Sequence, residues 1–291
     1  MRLSASAGTG AQMRSAPSIS PRATWSSSPR DTAMSSLGVP AIGVGETLTT
    51  DNLYASIQTM TSAALSRISR TDAGPAGRAV YASVRDAIIS TELEPGRQIS
   101  ENELAAQLGV SRTPVREALA RLRDDRLVEI VPQLGTFVSR ISVSGVDDAQ
   151  FLREALECSA VRLAAERCSP ADLNGLQALI ARQEAARDAG DAAGFFVLDD
   201  NLHSTLCELS GRPIAWAIVE RANGHLNRVR RLSLAHPRYL AEMVAEHKVV
   251  VDAVGRNEPD AAEDALRHHL RMVLSDLPTI RTAHPEYFED D

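Results

Sequence analysis

The sequence predicts a mainly α protein, in which an N-terminal winged helix-turn-helix is joined to an all-α bundle of six helices. Three observations carry this reading. Residues 99–138 change from helical to strand periodicity in a fixed order. From about residue 146 to 277 every segment has helical spacing, and Pro170, Pro213, Pro237 and Pro259 stand at or just before helix starts, where a missing N–H costs nothing. Finally, 4 Tyr, 5 Phe and 2 Trp in 291 residues leave an Ala/Leu/Val core, which suits a helical bundle.

In chain order, residues 1–75 are rich in Ser, Ala, Gly and Pro with little apolar periodicity, and are read as a disordered low-complexity tail. Met34 and Met60 are alternative starts within it, and 51–69 could form a loose helix. A winged helix-turn-helix is expected over 76–140, opening with a helix from about Gly77 to Ser90 that buries Val80, Val84, Ala87 and Ile88. Glu94-Pro95-Gly96 is a turn. Ser100 and Glu103 have capping-box spacing for a second helix, with Leu104, Ala105 and Leu108 inward and Gly109 as its stop.

Thr113-Pro114 is read as the cap and first residue of the third helix, which buries Val115, Leu119 and Leu122. At 100° per residue Arg112, Arg116 and Arg123 fall within about 40° of one another on its other side. Guanidinium forks suit phosphate oxygens and the guanine edge of the major groove. Leu127–Val131 and Thr136–Val138 read as strands joined through Pro132–Gly135. Helix, turn, helix and β-wing together place the third helix in a DNA major groove; the plainer reading is a three-helix core with a solvated arginine face.

LGVSRTPVREALARL followed by LVEIVPQLGTFV resembles the DNA-binding domain of the GntR family of bacterial transcription regulators. The resemblance implies that Ser111, Arg112, Thr113 and Arg116 touch double-stranded DNA and that Gly135 enters the minor groove at the wing tip. Asn102 stands where many members carry arginine, Leu134 where arginine commonly precedes the wing glycine, and Arg126 where glycine is common. Arg123 extends the basic face, and Asn102 keeps a weaker backbone contact.

Charge sharpens this. The chain carries a net charge of −7, but 78–140 holds nine basic and nine acidic residues. DNA binding must then rest on a focused arginine face, and the acidic remainder discourages DNA from docking elsewhere. No run approaches 18 apolar residues, so no membrane partner is expected. Three cysteines without metal or disulfide spacing point to a reducing cytoplasm.

Residues 141–145 read as a linker, 146–277 as the helical domain and 278–291 as a C-terminal tail. The six helices fall near 147–167, 170–189, 192–210, 213–234, 238–256 and 260–275. LREALE, FFVLDDNLHSTLCELSG, EHKVVVDAV and AAEDALRHHL resemble the FCD domain, the ligand-binding partner of GntR domains in the FadR subfamily. A count of six helices rather than seven places it nearer the VanR-like branch.

Spacing also predicts a metal site. Asp199 and His203 are one helical turn apart. His247 precedes the turn at Asn257-Glu258 by about as many residues as His269 follows it, so an antiparallel hairpin sets them level. Three imidazoles and a carboxylate suit a borderline divalent ion such as Zn²⁺, Ni²⁺ or Mn²⁺, and the resemblance implies the same four ligands. Arg153, in the first helix of that domain, is a candidate clamp for a small organic acid effector, or else forms a surface ion pair with Glu157. His225 is read as polar lining of the bundle, His268 as solvent-facing and Cys207 as a small core residue.

These readings converge on a cytoplasmic, homodimeric, metabolite-responsive repressor that binds a palindromic operator. The competing classes are a metal-dependent enzyme fused to a DNA-binding module and a pure metal sensor. No nucleophile motif supports an enzyme.

Overall fold

A computed structural model describes residues 76–234 and 237–290. The expected tail at 1–75, with its alternative starts and the loose helix at 51–69, lies outside the described residues. The winged region comprises α1 (Ala76–Ile89), β1 (Gln98–Ile99), α2 (Glu101–Leu108), α3 (Arg112–Asp124), β2 (Val128–Val131) and β3 (Gly135–Val138). Ser100 caps α2 by accepting the Glu103 N–H, and Gly109 closes it at φ 70°, the left-handed cap that glycine adopts without a Cβ penalty. α3 begins two residues before the expected start, with Ser111 rather than Thr113 at the cap position. Pro114 lies in the first turn, where no backbone N–H is missed.

The wing holds three strands in the order β1-β3-β2, all antiparallel. Gln98 pairs with Phe137, and Ile130 with Thr136. The two residues of β1 are too few to announce themselves by alternation. Val80, Val84, Ile88, Leu108, Val115, Leu122, Leu127 and Val138 are buried together, and each such large side chain contributes roughly 1.5–3 kcal/mol relative to exposure. The same cluster continues through Phe195, Leu234 and Met243 of the following domain.

That domain has seven helices rather than the expected six: α4 (Val143–Arg167), α5 (Pro170–Asp188), α6 (Ala192–Leu209), α7 (Pro213–Ala222), α8 (Gly224–Ser233), α9 (Pro237–Gly255) and α10 (Pro259–Ala283). The single helix expected over 213–234 breaks at Asn223. At the break Gly224 packs closely on the winged region: a Cβ there would lie 2.9 Å from Leu127 Cδ2. The VanR-like placement, which rested on six helices, goes with the count.

α4 runs through the middle of the bundle against α6, α7, α8, α9 and α10. It starts inside the stretch expected to be a linker, because Ser142 caps it through the Gly145 N–H. The expected C-terminal tail is also structured. α10 continues past Pro278 to Ala283, and a 3₁₀ turn (Pro285–Tyr287) follows. Ile141 then donates to the Tyr287 carbonyl and accepts from the Glu289 N–H, while Phe288 is 1% exposed among Ile141, Val146 and Ile280. The chain thus returns to the point where the two domains join.

Candidate metal centre and nucleic-acid interface

α3 holds the arginine face clear of the core. Arg112, Arg116 and Arg123 side chains are 53, 61 and 54% exposed. Asn102, Ser111, Thr113 and Gly135 are exposed as well. Arg112 and Arg116 both donate to one oxygen of Glu101, at 2.8 Å each, and Arg123 pairs with its neighbour Asp124 at 3.0 Å. At the wing tip Gln98 donates to the Leu134 carbonyl, and Gly135 sits at φ 128°, a backbone conformation that side-chain-bearing residues rarely adopt. Arg126, at φ 58°, occupies a conformation that glycine favours.

In the helical domain, α6 contributes Asp199 and His203, α9 His247 and α10 His269. One donor atom from each lies within 4.8 Å of the other three, and all four residues are buried. Asp199 Oδ1 lies 3.0 Å from His247 Nε2 and 3.6 Å from His203 Nε2, and His247 Nε2 lies 3.1 Å from His269 Nε2. The Nε2 atoms therefore face inward. The Nδ1 atoms face outward, to Glu157 for His203, Gln183 for His247 (2.8 Å) and Glu246 for His269 (3.0 Å). Outer partners of this kind fix ring orientation and raise ligand basicity.

Asp199 Oδ1 and His203 Nε2 are buried without a hydrogen-bond partner. Orphans of this cost are rare, and here they are the atoms that converge. Burial alone would raise the Asp199 carboxyl, but the Arg230 guanidinium overrides it and holds the group well below the usual carboxylate range. Burial pushes His247 and His269 down, which keeps each ring neutral, with one nitrogen free of a proton. Burial would also lower His203, but the Glu157 carboxylate outweighs it and raises that group. The donor set, its outer partners and the orphaned atoms fit a divalent cation.

Beside the cluster is a small cleft of about 10 Å³, room for roughly one water, lined by Arg153, Asp199, Arg230, Tyr239, His269 and apolar side chains. Arg153 does pair with Glu157, at 2.7 Å, but the pair is buried rather than on the surface. Its Nη2 is buried without a partner. Sequence reasoning missed Arg230, which reaches Asp199 and Asp200 from α8 and is 4% exposed. It also missed Glu157 and Glu246, carboxylates brought in by α4 and α9; both are spent on histidine Nδ1 atoms and are not placed as free bases.

His225 does not line the cavity. It sits at the domain junction and accepts the Ser142 N–H. His268 is 78% exposed, and Cys207 is packed with Ala160 and Ala215. Arg228, fully buried, donates to the Ser139 carbonyl, and Arg221 pairs with Asp125 at 3.0 Å. Among the described residues no helix is long and apolar enough to cross a membrane.

A winged reading domain with an arginine-faced α3, carried on a helical domain, defines a DNA-binding transcriptional regulator. Residues 76–138 match the bacterial regulatory proteins of the gntR family, and residues 148–272 match the FCD domain. The HTH-type transcriptional regulator in unstable DNA locus of Streptomyces ambofaciens is 42% identical over 74% of this chain and 90% of its own length. The HTH-type transcriptional repressor RspR of Escherichia coli K12 is 30% identical over 75% and 95%. Among solved structures, Escherichia coli McbR/YncC shares the fold at a TM-score of 0.64 and 24% identity, covering 71% of this chain and 98% of its own. The chain belongs to the GntR family, in its FadR-like subfamily, and is a transcriptional regulator, not an enzyme.

Proposed function

We propose that this chain is a cytoplasmic, homodimeric repressor whose grip on a palindromic operator is released by a small carboxylate metabolite bound at the metal cluster. The observation that carries this is the shared cavity. Two of the four clustered residues, Asp199 and His269, line it together with Arg153, whose Nη2 is buried without a partner. Those four residues would hold a divalent ion, Zn²⁺, Ni²⁺ or Mn²⁺ by donor chemistry. Such an ion supplies a Lewis-acid seat for a carboxylate oxygen. Arg153 offers the free half of its fork to the effector's remaining oxygens.

On the DNA side, Arg116 and Arg112 read base edges while Ser111, Thr113, Asn102 and Arg123 hold phosphates and Gly135 lets the wing tip approach the minor groove. The repressor assignment draws on RspR, which is named as one. Effector and DNA are coupled through α8. This helix carries Arg230 at the cavity and, two residues earlier, Arg228 at the Ser139 carbonyl of the junction.

The test is a thermal-shift screen of sugar acids, hydroxy acids and dicarboxylates on metal-loaded protein, followed by binding to an operator selected from random duplexes. One acid should raise the melting temperature and release the operator, and by linkage the operator should weaken that acid's binding by the same factor. Release by metal alone would make the protein a metal sensor. Operator binding indifferent to every acid and every metal would end the proposal.

A further inference from the structure

We propose that Glu101 is a positioning residue for operator reading, holding Arg112 and Arg116 in a fixed register on the DNA-facing side of α3; this rests on the reading role given to Arg116 above. Glu101 opens α2, whereas its two partners lie in the first two turns of α3, so its carboxylate bridges the two helices of the motif. One oxygen, Oε2, accepts from Arg112 Nη2 and from Arg116 Nε, both at 2.8 Å.

The atom used on Arg116 decides what remains free. Engaged through Nε, the guanidinium keeps both terminal nitrogens, and these form the fork that pairs with O6 and N7 of guanine. A free arginine side chain loses rotamer freedom when it docks on a base. A guanidinium already held at Nε has lost part of it beforehand. Glu101 is well placed to stay ionised for this task, since the arginine hydrogen bonds lower its carboxyl below the ordinary range and it lies at the positive end of α2. Its side chain is 30% exposed, against 53 and 61% for its partners, so it stands behind them rather than in front.

The opposing effect is plain electrostatics. An acid on a domain whose described charges balance repels phosphate, and its loss should then tighten binding to any DNA. The two effects differ in what they move. Positioning acts on the preference for the operator over other DNA, whereas repulsion acts on both alike.

The experiment compares full-length protein with Glu101→Ala, Glu101→Gln, Arg116→Ala and the Glu101→Ala/Arg116→Ala double variant. Binding is measured by fluorescence anisotropy on a selected operator and a scrambled duplex of equal length, across a salt series. Circular dichroism confirms that each variant is folded; an exposed ion pair adds little to stability, so all should be. Glu101→Ala should lower the operator-to-scrambled affinity ratio by about fivefold or more, a fraction of what a whole bidentate base contact supplies. Glu101→Gln should fall between it and the parent, and the effect of Glu101→Ala on the ratio should shrink once Arg116 is alanine, leaving only the part that acts through Arg112. A ratio unchanged in Glu101→Ala while Arg116→Ala lowers it would overturn the positioning role alone. A ratio unchanged in Arg116→Ala would overturn the reading on which it rests.

Discussion

Arg230 and Asp199 form an ion pair in which the arginine is 4% and the aspartate 1% exposed, at the edge of the histidine cluster. Removing one partner of a buried pair strands the other charge and typically costs about 3–5 kcal/mol. Arg230→Met should therefore destabilise metal-free protein by that order in urea unfolding. A divalent ion on Asp199 supplies the missing positive charge, so the loss should shrink when Zn²⁺ is added. Equal losses with chelator and with Zn²⁺ would show that Arg230 does not act through the charge of Asp199.

His247 is fully buried, with Nδ1 on Gln183 and Nε2 toward Asp199 and His269. The protein should carry about one divalent ion per chain by elemental analysis, and His247→Ala should lose it together with the effector-induced thermal shift. Protein purified without chelator, then reconstituted, and still free of metal would dispose of the centre.

A pH dependence follows from His225. Burial, with Arg228 and Arg126 facing it, pushes its imidazole down to about 3, and its Nδ1 accepts from the Ser142 N–H. Protonated, it would lose that acceptor and face two guanidinium groups. A depressed histidine is neutral in the folded chain and protonated in the unfolded one below about 6.5, so stability falls as pH drops from there toward 3. At pH 5 the penalty is about 2 kcal/mol. His225→Gln should show a shallower decline in unfolding free energy between pH 6.5 and 5. Parallel curves for the two proteins would count against it.

The C-terminal segment gives a fourth expectation. Phe288 is buried among Ile141, Val146 and Ile280, while burial and then the nearby Glu94 and Glu286 carboxylates raise the Tyr287 phenol to about 12. Phe288→Ala should cost about 3–5 kcal/mol and Tyr287→Phe about 1 kcal/mol, read by chemical denaturation. A negligible loss in Phe288→Ala would mean that the segment adds nothing to the fold.

How much of this was legible in the sequence depended on whether one helical period spanned the relevant residues. Asp199 and His203 share a turn, and His247 and His269 are equidistant from theirs, so two local rules located four buried residues on three helices. Arg230 stayed hidden because the break at Asn223 resets the helical phase, and a face extrapolated from Pro213 no longer predicts where its side chain points. Glu101 and Arg116 meet across separate helices, and no spacing within either announces it. Ser142 looked like linker because its composition is that of a loop; its capping hydrogen bond is what makes the following residues helical.

Where the two domains meet, much of the grip is on the peptide backbone. Arg228 holds the Ser139 carbonyl, His225 the Ser142 N–H, and residues 287 and 289 both main-chain groups of Ile141. Every amino acid but proline offers the same two groups at such positions. These contacts hold whichever side chains residues 139, 141 and 142 carry, whereas the apolar cluster shared by the two domains and the Arg221–Asp125 pair do depend on side-chain identity.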